Sequence, residues 1–178
     1  IFIIKFDLDG TYKLVIEEAL KKEVSDWLDI ETDYSGNILL CGSFDDEINL
    51  SGISLSCDGI EDNFIAKYNS SGEIIWAIRA GGEDMEWVGL ITTDKNNNIY
   101  FTGEFYSVNI NIGSSTINLN QGDGNIVLAK LTSDGNVQWI TSKAGSLAFY
   151  GYGDEFCWPT DIKTDPVGNI YIKGWHGD

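Results

Sequence analysis

Residues 94–103 read DKNNNIYFTG: an aspartate, a polar turn, a short apolar run and a glycine. The same pattern stands at 33–42 as DYSGNILLCG and at 165–174 as DPVGNIYIKG. Aspartate followed by asparagine and glycine shapes a tight turn. Gly and Asn tolerate positive φ, and an Asp side chain bonds the backbone two residues on. The run behind the turn, rich in Ile, Tyr and Phe, has the composition of a strand. Ile99 and Phe101 are expected on one face of it, with Gly103 ending the strand.

A second motif keeps the same period. IFIIKFDLDG (1–10), NFIAKYNSSG (63–72) and NIVLAKLTSDG (125–135) each set a lysine in an apolar run that reaches glycine five residues later. The lysines are Lys5, Lys67 and Lys130, at spacings of 62 and 63. Beyond the glycine, TYKLVIEE, EIIWAIRA and NVQWITSK place Trp76 and Trp139 in register with Leu14. Trp27, Trp87 and Trp158 stand six or seven residues before the motif aspartate, and Phe44 and Phe105 two after its glycine. Register held over so many landmarks defines an internal repeat of about 62 residues. The units run approximately 1–62, 63–124 and 125–178 in a single all-β repeat domain.

In the middle unit, strands are expected near Val88–Thr93, Asn98–Phe105, Ile126–Leu131 and Val137–Ser142, with shorter ones around Val108–Ile112 and Thr116–Leu119. The segment EEALKKEVSDW (17–27) has a helix-friendly composition and reads as a variable loop with room for one helical turn. Four antiparallel strands per unit of this length describe a β-propeller blade. A sandwich or β-solenoid made of the same hairpins is the other all-β reading.

The run D-x-x-G-N-I-Y-x-x-G-x-F, then an apolar stretch with Ala-Lys ending in Asp-Gly, then Trp, resembles the bacterial SBBP-type β-propeller repeat. Asp94, Asn97, Asn98, Ile99, Tyr100, Gly103, Phe105, Ala129, Lys130, Asp134, Gly135 and Trp139 carry the likeness. Leu39 and Leu40 depart from it in the first unit, and a longer aromatic loop at 146–158 departs from it in the third. The resemblance implies a propeller in a secreted or cell-surface bacterial protein, often large and multi-domain, with no defined catalytic residues.

Propellers close with about four to eight blades, and three units alone leave strand edges bare. The expectation is therefore a partial propeller within a longer chain, or a ring closed by oligomerisation. In the second case Ile1–Phe6 would complete a blade begun by another chain's C-terminus. The chain opens on Ile1 rather than methionine, as expected of a processed product or a piece of something longer.

Composition narrows the partners. Eleven basic against twenty-eight acidic residues give a net charge of −17. Such a charge repels phosphate backbones and anionic lipid, which argues against nucleic-acid and membrane partners and leaves cations, neutral sugars and basic proteins. No apolar run reaches the roughly 18 residues of a membrane span. Cys41, Cys57 and Cys157 match no CxxC spacing and read as small hydrophobes, with a Cys41–Cys57 bridge left open.

His176 is the only histidine, so a nucleophile–histidine pair has little to build on. Oxygen-rich turns at 7–10, 58–63 and 94–98 would suit calcium, although none has EF-hand spacing. The in-register lysines are expected in structural ion pairs or with snorkelled heads. The strand tryptophans are expected in core or inter-blade packing. The repeat breaks at SLAFYGYGDEFCWPTD (146–161), where Tyr150, Tyr152 and Trp158 flank Asp154 and Glu155. Aromatics beside acids suit sugar stacking or protein recognition, so these five are the candidate ligand-binding residues.

The function expected is a non-catalytic structural or recognition module, adhesive or carbohydrate- or protein-binding, and extracellular. The alternative is a segment of a propeller enzyme acting on polysaccharide as hydrolase or lyase, with Tyr152, Asp154 and Glu155 as its reactive groups.

Overall fold

The computed structural model describes residues 1–18, 24–119, 124–144 and 157–176. Sixteen strands and no helix make up these residues. A first hairpin joins β1 (Phe2–Phe6) to β2 (Tyr12–Glu17). Next come β3 (Val24–Thr32), β4 (Ile38–Phe44), a side hairpin of β5 (Glu47–Leu50) and β6 (Ile53–Ser56), then β7 (Asp62–Tyr68) and β8 (Ile74–Gly81). The pattern repeats as β9 (Glu86–Thr93), β10 (Ile99–Phe105), side hairpin β11 (Asn109–Ile112) and β12 (Ser115–Asn118), β13 (Asn125–Leu131) and β14 (Val137–Ala144). It opens a third time as β15 (Cys157–Thr164) and β16 (Ile170–His176).

Strands β3-β4-β7-β8 form one antiparallel sheet and β9-β10-β13-β14 another. β1–β2 and β15–β16 are half-sheets of two strands each. The side hairpin β11–β12 leaves its own unit and extends the preceding sheet, pairing Asn111 with Gly81 and Ile112 with Ala80 at β8. All the expected strands of the middle unit are present within one or two residues, but the sheets do not share the phase of the sequence units. Each complete sheet takes its first two strands from one sequence unit and its last two from the next.

Two expectations need correction. Val24–Trp27 belong to β3 rather than to a loop, because Val24 pairs with Phe44 as Glu86 pairs with Phe105. Residues 19–23 lie outside the described residues. Gly103 does not end its strand, which runs on to Phe105. Gly42, Gly103 and Gly174 instead sit opposite a bulge in the neighbouring first strand. At Gly174 a Cβ would come within 2.5 Å of the Trp158 carbonyl, so a side chain has no space where the bulged strand crowds in.

The core is the set of seams between successive sheets. One face of the first complete sheet (Leu40, Phe64, Ala66, Tyr68) packs on Ile3 and Ile16 of the first hairpin. Its other face (Leu39, Cys41, Ile65) packs on Ile91, Ile99, Phe101, Val127 and Ala129 of the second complete sheet. Ile99 and Phe101 therefore share a face, as their alternation requires. Cys41 is buried there as a small hydrophobe, and Cys41 and Cys57 both carry free thiols, so no bridge joins them. Burial pushes the Cys57 thiol up to about 11.

Two of the seams are also closed at their rim by a turn glycine. Gly135 (φ +81°) sits on the Trp76 ring, where a Cβ would lie 3.0 Å from ring carbon. Gly72 (φ +86°) sits in the same way on Leu14 and Ile16. Trp76 thus does the inter-sheet packing expected of it. Gly135→Ala is expected to lose stability twice, through the left-handed backbone (~1–2 kcal/mol) and through the displaced indole. Gly52→Ala, with φ +99° and open space around it, should show only the first loss. Urea midpoints of the two variants measure the difference, and equal losses would remove the seam role.

Candidate functional site

The motif aspartates build their turns in the same way three times. Asp94 Oδ1 accepts from Asn96 N and Asn98 N, and Oδ2 from Asn98 Nδ2 and the Tyr100 hydroxyl. Asp165 does the same with Val167, Asn169 and Tyr171. Asp33 accepts from Ser35 N, Asn37 N and Asn37 Nδ2. Burial opposes ionisation of Asp33 and Asp94, yet these bonds outweigh it and hold both carboxyls below the usual range. Oxygens so committed are poor calcium ligands. Among the described residues no three His, Cys, Asp or Glu side chains converge on a metal position.

The first unit has Leu39 where the others have Tyr100 and Tyr171, so Asp33 Oδ2 lacks a phenol. Lys67 takes its place. Its Nζ lies 2.9 Å from Asp33 Oδ2, and it also donates to Ser133 O (3.0 Å) and Ser133 Oγ (2.6 Å) of the next sheet's turn. Trp76 Nε1 donates to the same Ser133 carbonyl at 3.2 Å. This ion pair is the one expected of the in-register lysines. Lys130, in the same register, lies 5.6 Å over the Tyr100 ring.

These turns rim one end of the strands, where β3, β9 and β15 approach one another. Glu31, Thr92 and Lys163 each stand two residues before a motif aspartate, and they converge there on a cleft of about 340 Å³. A second hollow of about 240 Å³ adjoins it, sharing Tyr34 and Thr164. Tyr34 is 73% exposed, with its amide held by Asn97 Oδ1. Lys163 Nζ, largely solvated, lies 3.8 Å from Glu31 Oε2 and 3.9 Å from Asp161 Oδ1, loose pairs of little stabilising value that leave the ammonium open to a ligand. Glu31 also accepts from Thr32 N and the Thr92 hydroxyl.

The floor is tied across the seams. Thr93 Oγ1 donates to Thr32 O, and Thr164 Oγ1 to Thr93 O. Ile91 N donates to Asp29 Oδ2, a carboxyl whose pKa burial raises. Sequence reasoning missed this cleft. Its one signal is that the position two before each aspartate carries an acid, a hydroxyl and a base in turn, where its neighbours repeat.

Of the sequence-derived candidates, Tyr150, Tyr152, Asp154 and Glu155 lie outside the described residues, as do the side chains of Trp27, Cys157 and His176. Trp158 is described, 37% exposed and paired in register with Trp175. It stands at the opposite end of β15 from Thr164, so it does not join the cleft. Trp87 is not simply packed either. It is half-exposed, edge-on to Tyr106, and donates to Glu61 Oε2 at 3.0 Å.

At that same far end, Glu86 is fully buried and accepts from Gly82 N and Ser107 N. Burial first, and the adjacent Asp62 carboxyl next among the raising influences, push its pKa up to about 7. Asp62 Oδ1 has no hydrogen-bond donor in the structure, while its Oδ2 accepts from Arg79 and Asp58 N.

No protein-family model matches the chain. The chain is 25% identical over 127 residues to an uncharacterized WD repeat-containing protein of Acanthamoeba polyphaga mimivirus, a stretch covering 70% of this chain and 9% of that relative. With the internal repeat and the all-β sheets, the likeness points to a repeat protein of β-propeller-like kind.

Two outcomes follow from the buried charges. Lys67→Met leaves the Asp33 carboxylate buried without its cation and should cost about 3–5 kcal/mol. Lys130→Met should cost under ~1 kcal/mol. Urea titration of the pair checks this. Glu86, with a folded pKa above its ordinary value, contributes stability that is full below about pH 4.5 and lost as pH rises through about 7. Across that window the decline is about 1.4 kcal/mol for each pH unit. Glu86→Gln should flatten it in urea titrations run at a series of pH values.

Proposed function

We propose that the chain is a non-catalytic recognition module built of β-propeller blades, with the cleft at its aspartate-turn end as the binding face. The observation that carries this reading is the cleft itself. Glu31, Thr92 and Lys163 break the repeat at one register position, and the exposed Tyr34 ring stands beside them. A carboxylate, an ammonium and an aromatic face suit the polar and stacking contacts of a glycan or a protein loop, while the buried Thr92 hydroxyl is turned to Glu31. The aspartates around the cleft are taken up by their turns, which supports binding over general acid–base chemistry.

The propeller reading rests on the repeat, on the seam-to-seam stacking of four-stranded sheets and on the distant WD repeat relative. A secreted or cell-surface bacterial setting and an adhesive role rest on the resemblance to the SBBP-type repeat. The aromatic loop at 146–158 belongs to the same proposal as a second contact surface. The matched stretch is a small part of a long relative, which fits a module that works inside a larger array.

A glycan array and capture with basic proteins test the reading. Tyr34→Ala and Lys163→Glu should abolish binding with an unchanged urea midpoint. Loss through Tyr150→Ala with Tyr152→Ala, but not through the cleft variants, would move the site to the loop. Turnover of a polysaccharide, lost on Asp154→Asn or Glu155→Gln, would replace the proposal with the enzyme reading.

A further inference from the structure

Trp87 is fixed in place and yet open to solvent. It stands 42% exposed where the two complete sheets meet, at their end away from the cleft. Its Nε1 donates to Glu61 Oε2 at 3.0 Å, and the Tyr106 ring stands at 73° to the indole with centroids 6.1 Å apart. Glu61 is fixed in turn, since the Ser43 hydroxyl donates to its Oε1. An exposed indole held at both its N–H and its ring loses little freedom on binding, which is what an interface anchor needs.

The backbone around the indole is rigid and its side chains are acidic. Glu86 N donates to Glu61 O, Ile60 N to Asp84 O, and Asp84 N to the Ser107 hydroxyl, so segments 59–61 and 83–86 are tied together. At Gly59 a Cβ would fall on the Asp84 carbonyl, which shows how closely the two backbones cross. Ile60, 58% exposed, adds apolar area next to Glu61. Glu83 and Asp84 are exposed, and among the described residues no lysine or arginine pairs with them. Arg79, the chain's one arginine, does not serve them, because Asp58 and Asp62 clamp it at 2.6 Å each.

We propose that this surface docks an arginine of a basic partner protein, its guanidinium stacked on the Trp87 indole and paired with the Glu61 carboxylate. The surface is separate from the cleft, so neither reading depends on the other.

Charge selects the occupant. The chain carries −17, and Glu61, Glu83 and Asp84 surround an aromatic anchor without a cation of their own, so a basic segment complements them and a neutral sugar does not. Shape selects arginine over lysine. The two Glu61 oxygens are oriented by neutral donors, Ser43 and Trp87, and each keeps a lone pair. A planar fork of N–H donors meets such a carboxylate while its face lies on the indole. A lysine ammonium brings the charge but no plane to stack. Glu83 and Asp84 stand at the rim, where acids speed encounter more than they hold the complex.

Fluorescence anisotropy of a labelled Gly-Ser peptide carrying spaced arginines, and of its lysine counterpart, tests this on the intact chain. The arginine peptide should bind several-fold more tightly than the lysine peptide. Trp87→Leu keeps an apolar body against Tyr106, and Glu61→Gln keeps an acceptor oxygen. Each should weaken the arginine peptide about tenfold. Because Trp87→Leu could disturb the seam, a second variant changes only exposed groups. Glu83→Gln with Asp84→Asn should slow association in stopped flow and leave the urea midpoint unchanged. Tyr34→Ala and Lys163→Glu should leave the arginine peptide bound. No binding, or binding that Trp87→Leu and Glu61→Gln leave unchanged, overturns the proposal, the second result marking diffuse attraction to net charge. Loss through the cleft variants instead overturns it in favour of the cleft as the site for basic ligands.

Discussion

A strand that is apolar on both faces cannot be satisfied by its own hairpin. β7 reads Phe64, Ala66 and Tyr68 to one side and Ile65 and Lys67 to the other, and neither set can face water without cost. Every other feature of the chain follows from that demand. Each four-stranded sheet must be covered twice, so sheets stack. The stack repeats because one hairpin chemistry is written again at each period. The side hairpin β11–β12 adds to the preceding sheet, so pairing as well as packing crosses the seam.

Apolar stacking is not directional, and the polar groups at each seam supply the direction. Thr93 reaches Thr32, Thr164 reaches Thr93, and Ile91 N reaches Asp29, so successive first strands are fixed at the same height. At the outer rim, Ser133 accepts from both Lys67 and Trp76. A slip along the seam would take Ser133 from the buried Lys67 ammonium and leave it Asp33 alone, with donors unmet. Together these contacts hold Glu31, Thr92 and Lys163 at one level, which gives the cleft a defined geometry.

The strands, their order within a unit and the packing of Trp76 between sheets were legible, since alternation and turn chemistry are local. Trp76 and Trp139 face Lys67 and Lys130 across their hairpins, as Leu14 faces Lys5. The units 1–62, 63–124 and 125–178 do not coincide with the sheets, because a periodic sequence looks the same wherever the count begins, although Ile1–Phe6 already read as the completion of another blade. Gly103 misleads for a related reason. A strand glycine opposite a bulge and a strand-ending glycine leave the same trace unless the partner strand is known. The cleft escaped notice because Glu31, Thr92 and Lys163 are unremarkable singly and distant in sequence. Only stacking makes them neighbours.

The replacement of tyrosine by Leu39 shows how a repeat acquires an address. In the second and third units the phenol at this position satisfies its own aspartate, and the turn is self-contained. In the first unit the phenol is missing, the aspartate turns to Lys67, and Lys67 in turn needs the neighbour's Ser133. A local bond has become a contact between sheets. A buried ion pair of this kind adds little net stability over an apolar pair, but it penalises any neighbour that lacks the hydroxyl.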